Sequence, residues 1–256
     1  MALTLYNAPQ STCSQRVRFV LNAKSLAFTE HRLDLFAGDQ LKPEYLALNP
    51  NGVVPTLVHD GAVIIDSSVI MEYVEEVFPA APQFVPEDPV ARAKMRSLMR
   101  FIDEVPAPGI RVPSYNLAFL PHFQAMSEEA FRAMADSKPL RREFLLSMGR
   151  TGFPQADMDL SLKKLEQTVV RMADAIAASG GPFLQGTTPT LADISVMPVI
   201  VRMDDIRLAH LWDTRPAVGA WLDAIRAQPA FQPTYYTGSL LTEKYPHLRA
   251  QLAAAC

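Results

Sequence analysis

The chain has 256 residues, of which 49% are hydrophobic and 20% charged, and its formal net charge is −3. That length accommodates one large domain or two modest ones with a substantial core. The balanced charge argues against a nucleic-acid partner, which needs a clustered basic face. Its two cysteines, Cys13 and Cys256, argue against a secreted disulfide framework.

The first segment, MALTLYNAPQ, has no basic region followed by a long apolar run, so no secretory leader is expected there. No stretch approaches the roughly 18 apolar residues of a membrane span. A soluble protein of a reducing, cytoplasmic compartment is expected. Residues 3–6 read as a short apolar strand. Residues 13–24 read as a helix with Val17, Val20 and Leu21 on one face. Phe28, Leu33 and Leu35 mark a second strand region. The segment LVHDGAVIID reads as a hairpin, with Asp60-Gly61 supplying the positive-φ positions of a tight turn. A helix from about Ser67 carries Ile70, Tyr73, Val74 and Val77 on one face. The proline-rich stretch 79–89 is a linker. It ends in Asp88-Pro89, an N-cap followed by proline in the first helical position. Beyond it Met95, Leu98, Met99, Ile102 and Val105 recur at helical spacing, and prolines 106, 108 and 113 predict a bent or broken continuation. Helices are expected near 126–136, 138–148, 157–179, 190–205 and 216–227, with no strand among them. The chain thus divides into a mixed α/β domain over residues 1–79, a linker over 80–88 and an all-α domain over 89–256.

Three places bring polar groups together at helix starts. The turn from Asn7 to Ser14 feeds the first strand into a helix N-terminus, whose free N–H groups and partial positive charge favour an anion. Ser11, Thr12 and Ser14 offer hydroxyls there, any of which can donate to a thiolate. Simple capping of the helix is the competing account. Cys13 sits in the same place without a C-x-x-C partner, and is read as a small residue of the first helical turn more readily than as a redox thiol. In NPNGVVPTL, a cis bond at Val54-Pro55 would leave the Val54 backbone free for an extended peptide, whereas a trans bond would make it ordinary. Asp66-Ser67-Ser68 offers a hydroxyl and a helix-start N–H suited to a carboxylate, or plain capping. Thr190-Leu191-Ala192-Asp193 reads as a capping box that starts a central helix. Trp212 and Trp221 read as packing residues. The five histidines, 31, 59, 122, 210 and 247, show no metal-ligand spacing, so no metal is expected.

Five segments in this order, STCSQRVRFVLNAKSL, PEYLALNPNGVVPTL, DSSVIMEYVEEVFP, TPTLADISV and RPAVGAWLDAIRAQPAF, resemble the cytosolic glutathione transferase superfamily over nearly the whole chain. The resemblance implies an α/β thioredoxin-like domain that binds glutathione as cosubstrate, and an all-α domain that binds a small-molecule electrophile. It also implies a homodimer with no nucleic-acid or membrane partner. Ser11 matches the thiolate-stabilising position of zeta- and tau-like members, and Thr12 that of delta-like members. Val54 precedes the family's cis-proline and pairs with the cysteinyl unit. Asp66 and Ser67 match the pair that grips the γ-glutamyl end. Gln40 falls near the expected glycine carboxylate, with Lys42 beside it among the expected glutathione-binding residues. Asp103 resembles an acidic residue that reaches across the dimer toward the γ-glutamyl amine.

The N-terminal motif looks zeta-like, the class that contains maleylacetoacetate isomerases, while the long segment 119–155 resembles bacterial members akin to lignin β-etherases. For the electrophile, Ile110, Pro113, Tyr115 and Phe119 on the broken helix offer apolar faces, with ordinary core packing as the alternative. The insertion after Leu120 is expected to narrow access as a lid. An aromatic electrophile is expected, with aryl-ether cleavage as one such reaction. The alternatives are an isomerase of the maleylacetoacetate type, a non-catalytic ligand binder with the same fold, and a thiol-disulfide oxidoreductase that uses Cys13.

Overall fold

The computed structural model describes residues 2–138 and 140–254, so Cys256 lies outside the described residues. Cys13 is a free, half-buried thiol. Strand β1 (Leu3–Asn7) runs into helix α1 (Thr12–Ala23) and then β2 (Thr29–Arg32). A single 3₁₀ turn (Asp39–Leu41) and the short helix α2 (Pro43–Leu46) lead to β3 (Thr56–His59), β4 (Ala62–Ile65) and α3 (Ser67–Val77). The sheet order is β2-β1-β3-β4, with β1 and β2 parallel and the other pairs antiparallel. This is the mixed sheet with flanking helices that the residue pattern predicts. The hairpin turns at Asp60 and Gly61, both at positive φ.

Two expectations need correction. The second strand covers only residues 29–32, because the Asp34 carboxylate then takes the N–H groups of Phe36 and Ala37 and turns the chain. Leu33 and Leu35 instead pack against Ala8, Tyr45 and Val54. On α3 the buried face is Ile70, Met71 and Val74, while Val77 points outward.

From Pro89 onward every regular element among the described residues is helical. Helix α4 (Pro89–Glu104) starts on the Asp88 carboxylate, which accepts the Ala91 N–H at 2.7 Å. The prolines then break its continuation into α5 (Pro106–Gly109), α6 (Arg111–Ser114), a π-helical turn (Tyr115–Phe119) and α7 (Leu120–Gln124). The insertion adds α8 (Glu128–Asp136) and α9 (Arg142–Met148), after which α10 (Gln155–Ser179) crosses the molecule. Helix α11 (Leu191–Asp205) is buried along almost its whole length. Its start is held by Asp193, which accepts the Thr190 N–H at 2.8 Å, the Leu184 N–H at 2.9 Å and the Trp221 indole at 2.8 Å. Trp221 lies on α12 (Pro216–Arg226), and four buried donors so converge on one carboxylate when the Thr190 hydroxyl is included.

One apolar core joins β1, α1, α3, α4, α10, α11 and α12. A second, smaller core belongs to the insertion: Phe123, Phe131, Leu145, Met148 and Phe153. No helix among the described residues is long and apolar enough to cross a membrane.

Candidate active site

Strand register gathers the candidate residues. Tyr6 pairs with Thr56, and Thr56 with Ile65. The end of β1, the start of β3 and the end of β4 therefore meet at one edge of the sheet. The Ser11 turn leaves β1, Val54-Pro55 enters β3 and Asp66-Ser67 leaves β4, so these three segments lie together. Asn7 also pairs with Arg32 in parallel, which brings the loop after β2, and with it Gln40, to the same edge.

Ser11 caps α1. Its Oγ accepts the Ser14 N–H at 3.2 Å, which uses a lone pair and leaves the hydroxyl proton free to donate. Among the described residues the N–H groups of Thr12 and Cys13 meet no acceptor, and neither does the Thr12 hydroxyl. Two free N–H groups and two free hydroxyls at a helix start make a place for a negative charge. Ser14 is not part of it. It is fully buried, and its Oγ accepts the Ala8 N–H at 3.3 Å, so its hydroxyl braces the turn from within.

The Val54-Pro55 bond is cis. Among the described residues the N–H and C=O of Val54 are without partners. The neighbouring Val53 carbonyl, by contrast, accepts from the Tyr45 hydroxyl at 2.6 Å and the Asn49 amide at 2.9 Å. Asp66 caps α3 through the Ser68 and Val69 N–H groups, at a positive φ of 73° that costs a non-glycine residue about 1–3 kcal/mol. Ser67 is buried at the helix start, and among the described residues only the Arg16 guanidinium approaches its hydroxyl, at 3.5 Å.

Asp103 lies beside these residues of its own chain. Its carboxylate accepts the Ser68 hydroxyl at 2.7 Å and pairs with Arg16. Gln40 is 4% exposed; its amide donates to the Leu35 carbonyl, and its Oε1 is buried without a partner. Lys42 is exposed and paired with Asp39 at 2.7 Å, which raises its pKa.

Residue patterns assign no role to the arginines of α1. Arg16, only 2% exposed, ties the Ser195 carbonyl of α11 to Ser67 and Asp103. Arg18 donates to Asn7, to the Pro9 carbonyl and to the Thr234 carbonyl, and so fixes the turn before Ser11. Arg202 of α11 reaches the Gln10 carbonyl and the Ser114 hydroxyl. The available signal is two arginines, about 200° apart around the helix, set among the apolar residues Val17, Phe19, Val20 and Leu21, where charges stay buried only when fully bonded.

The helical side of the opening is aromatic. Tyr115 meets Phe119 edge-on at 5.0 Å and Phe144 at 4.9 Å, and lies parallel to Phe123 at 5.9 Å. Phe36, from the loop after β2, packs on Phe119 at 5.5 Å and His122 at 4.3 Å. The insertion therefore leans on the same loop that carries Gln40. Tyr115 and Phe119 remain half-buried. Ile110 and Pro113, expected among the electrophile-binding residues, are buried in the interior. The reason is close packing of α5 and α6 on α10, where a side chain at Gly109 would touch Lys164 at 3.4 Å. An open groove along Gln83, Asp88, Lys94, Arg171 and Thr190 includes none of the candidate residues.

Comparisons with known proteins agree with this arrangement. Residues 10–77 match the family description of a glutathione S-transferase N-terminal domain, and residues 155–224 that of the C-terminal domain. The chain is 29% identical over 244 residues to protein LigF of Sphingobium sp. strain SYK-6, covering 92% of this chain and 93% of that one. The solved structure of that beta-etherase superposes with a TM-score of 0.81, covering 92% of this chain and 99% of the other. The chain is also 31% identical over 209 residues to maleylacetoacetate isomerase maiA of Aspergillus fumigatus, covering 77% of this chain and 75% of that protein. The chain therefore belongs to the glutathione S-transferase superfamily, and is a glutathione transferase with glutathione as its cosubstrate.

Proposed function

We propose that the protein ionises glutathione at the Ser11 turn and directs the thiolate at a hydrophobic, aryl-bearing electrophile held against Tyr115 and Phe119, with aryl-ether cleavage as its reaction. In that reaction the sulfur forms a bond to the ether carbon as the carbon–oxygen bond breaks. The aryloxide leaves with the electron pair and takes a proton from solvent.

The observation that carries this reading is the Ser11 hydroxyl, whose lone pair is committed to Ser14 while its proton is free. A cysteine-type thiol has a pKa of about 8.5, and bringing it to about 6.5 takes about 2.7 kcal/mol. One hydrogen bond to the anion supplies roughly 1.5–3 kcal/mol, and the helix terminus adds to it. In the same reading residues 1–79 hold glutathione: Val54 its cysteinyl backbone, Asp66 and Ser67 the γ-glutamyl end, Gln40 and Lys42 the glycine end, while Asp103 of the helical domain reaches across the dimer toward the γ-glutamyl amine. Residues 89–256 hold the electrophile. The overall similarity to LigF supports the ether.

We further infer a cytoplasmic homodimer through α3 and α4. Val69 on α3 and Val90 on α4, 56% and 63% exposed, would be covered in such a dimer. A second reading, a glutathione-dependent isomerase, is favoured by the 31% identity to the Aspergillus isomerase.

Turnover of a β-aryl ether, a chloronitroarene and a cis-dienoate tests both readings. Ether and arene turnover supports the first, and dienoate turnover alone the second. Ser11→Ala should lower kcat roughly 10–100-fold and raise the pKa of bound glutathione, with a smaller change in glutathione KM. A fully active Ser11→Ala beside a dead Thr12→Val would move the thiolate to Thr12.

A further inference from the structure

Nearly every buried or half-buried arginine in this chain is accounted for. Arg16 has Asp103 and two oxygens of the core. Among the described residues Arg18 and Arg202 make no direct ion pair, but Glu30 and Asp205 favour their charges and each donates to carbonyl and hydroxyl acceptors. Arg111 differs. Among the described residues its guanidinium has no hydrogen-bond acceptor and no carboxylate, only the face of Phe144 at 5.5 Å.

Its neighbours sharpen the anomaly. Burial lowers the Arg111 pKa, and the positive charge of Arg141 lowers it further; Tyr115 and Cys13 act in the opposite direction. Arg141, Tyr115 and Cys13 thus each lie within electrostatic range of Arg111, and Cys13 is two residues beyond Ser11. Arg141 donates to the Leu140 carbonyl at 3.0 Å and also lacks a carboxylate among the described residues. Lys138, just before it, has no ion pair there either, and burial lowers its pKa. Arg111 thus stands on the aromatic shelf, over the Phe144 ring that packs on Tyr115 at 4.9 Å, and among the described residues it has no acidic partner. A guanidinium in a partly desolvated place without an acceptor favours an anion beside it. Elsewhere the insertion does supply acids: Arg132 pairs with Glu128, and Arg142 with Asp136 and Glu143.

We propose that Arg111 forms a carboxylate-binding subsite of the electrophile site, so that the preferred electrophile is an aryl compound carrying a carboxylate. The planar guanidinium fork matches a carboxylate, and the aromatic walls of Tyr115, Phe119 and Phe144 receive the ring. This rests on the proposed function, because it takes the seam between the Ser11 turn and the aromatic shelf as the electrophile site.

The test is calorimetric binding of 2-naphthoate and 2-naphthamide, which share ring and shape and differ in charge, to the full chain with glutathione present. Wild type should bind the naphthoate about 30-fold more tightly, as one charge-assisted pair allows. Arg111→Gln should reduce that ratio to about threefold or less, and Arg111→Lys should restore part of it. If Arg111→Gln does not fold, the wild-type ratio at low and high salt decides, since screening weakens a charge-driven preference. A wild-type ratio near one, or a ratio unchanged in Arg111→Gln, overturns the proposal. The naphthoate should also compete with a chloronitroarene for turnover, and binding without competition overturns it as well. Failure of the proposed function reads differently: no turnover of any ether or arene by wild type, whatever the binding ratio.

Discussion

Two regions face each other across the candidate site, and they are built on opposite principles. The β1–α1 turn and the starts of β3 and α3 are held by polar bonds. Arg16, Arg18, Asn49 and Tyr45 each satisfy two or more partners from below. The shelf formed by α6, the π-helical turn and the insertion is held by rings, with Asn116 bonded to both backbone atoms of Phe153 as one of its few buried polar ties. Hydrogen bonds fix direction to within a narrow angle, as a thiolate site requires. Ring packing fixes volume while tolerating changes of shape. On the proposed reading the first region serves one invariable cosubstrate, and the second whichever electrophile the chain handles.

If that contrast is right, breaking one polar bond in the first region should cost more than removing one ring from the second. The largest effect is expected for Arg16→Met, which leaves Asp103 without its charge partner and removes the guanidinium that ties α1 to the Ser195 carbonyl of α11. A loss of about 3–5 kcal/mol in urea unfolding is expected, together with weaker glutathione binding. A loss below about 1 kcal/mol would show the network to be dispensable. Tyr115→Ala should cost less, about 2–3 kcal/mol, because the ring is half-buried and its neighbours can close in. Tyr115→Phe should restore stability. Whether it also restores electrophile KM separates the two roles of this residue: packing needs the ring, and substrate contact through oxygen needs the hydroxyl. If Tyr115→Ala alters electrophile KM and glutathione KM equally while stability falls, Tyr115 serves only the second core.

Legibility in the sequence divides along the same line. Local signals are readable: the Asp60-Gly61 turn, the Asp88 cap ahead of Pro89, and the Thr190–Asp193 box all appear where residue spacing puts them. Each is decided by atoms within a few residues. The polar underside of the site is not readable, because Arg16 meets Ser195 and Asp103, and Arg18 meets Thr234, across sequence separations that no pattern reports. The burial of Ile110 and Pro113 is unreadable for a related reason. An apolar residue on a broken helix has the same appearance in sequence whether it faces a ligand or α10, and only the close approach at Gly109 decides between them. Arg111 stands in the same stretch with nothing in the pattern to mark it, since its lack of a partner is a property of the packed chain.

The smallest expected effect lies at the contact where the two regions touch. His122 of the insertion packs on Phe36 of the β2 loop, with ring centres 4.3 Å apart, and edge-on against Phe123. Burial and then the nearby Lys138 charge lower its pKa, while Asp34 raises it in part. The folded chain therefore holds this imidazole neutral more firmly than the unfolded chain does, where it titrates near about 6.5. The unfolded state binds the proton more readily, so stability rises with pH across this interval. The contribution is complete above about 6.5 and is lost as pH falls through the lower folded value. Glu30 and Asp39, whose pKa values are also lowered, titrate below this window and do not obscure it. His122→Phe keeps a ring against Phe36 but removes the proton site. Urea midpoints of wild type should climb between about pH 5 and 7, and the climb should be shallower in His122→Phe. Equal slopes would mean that the seam does not sense this proton, and that the insertion stays docked on the glutathione half through Phe119 and Phe123 alone.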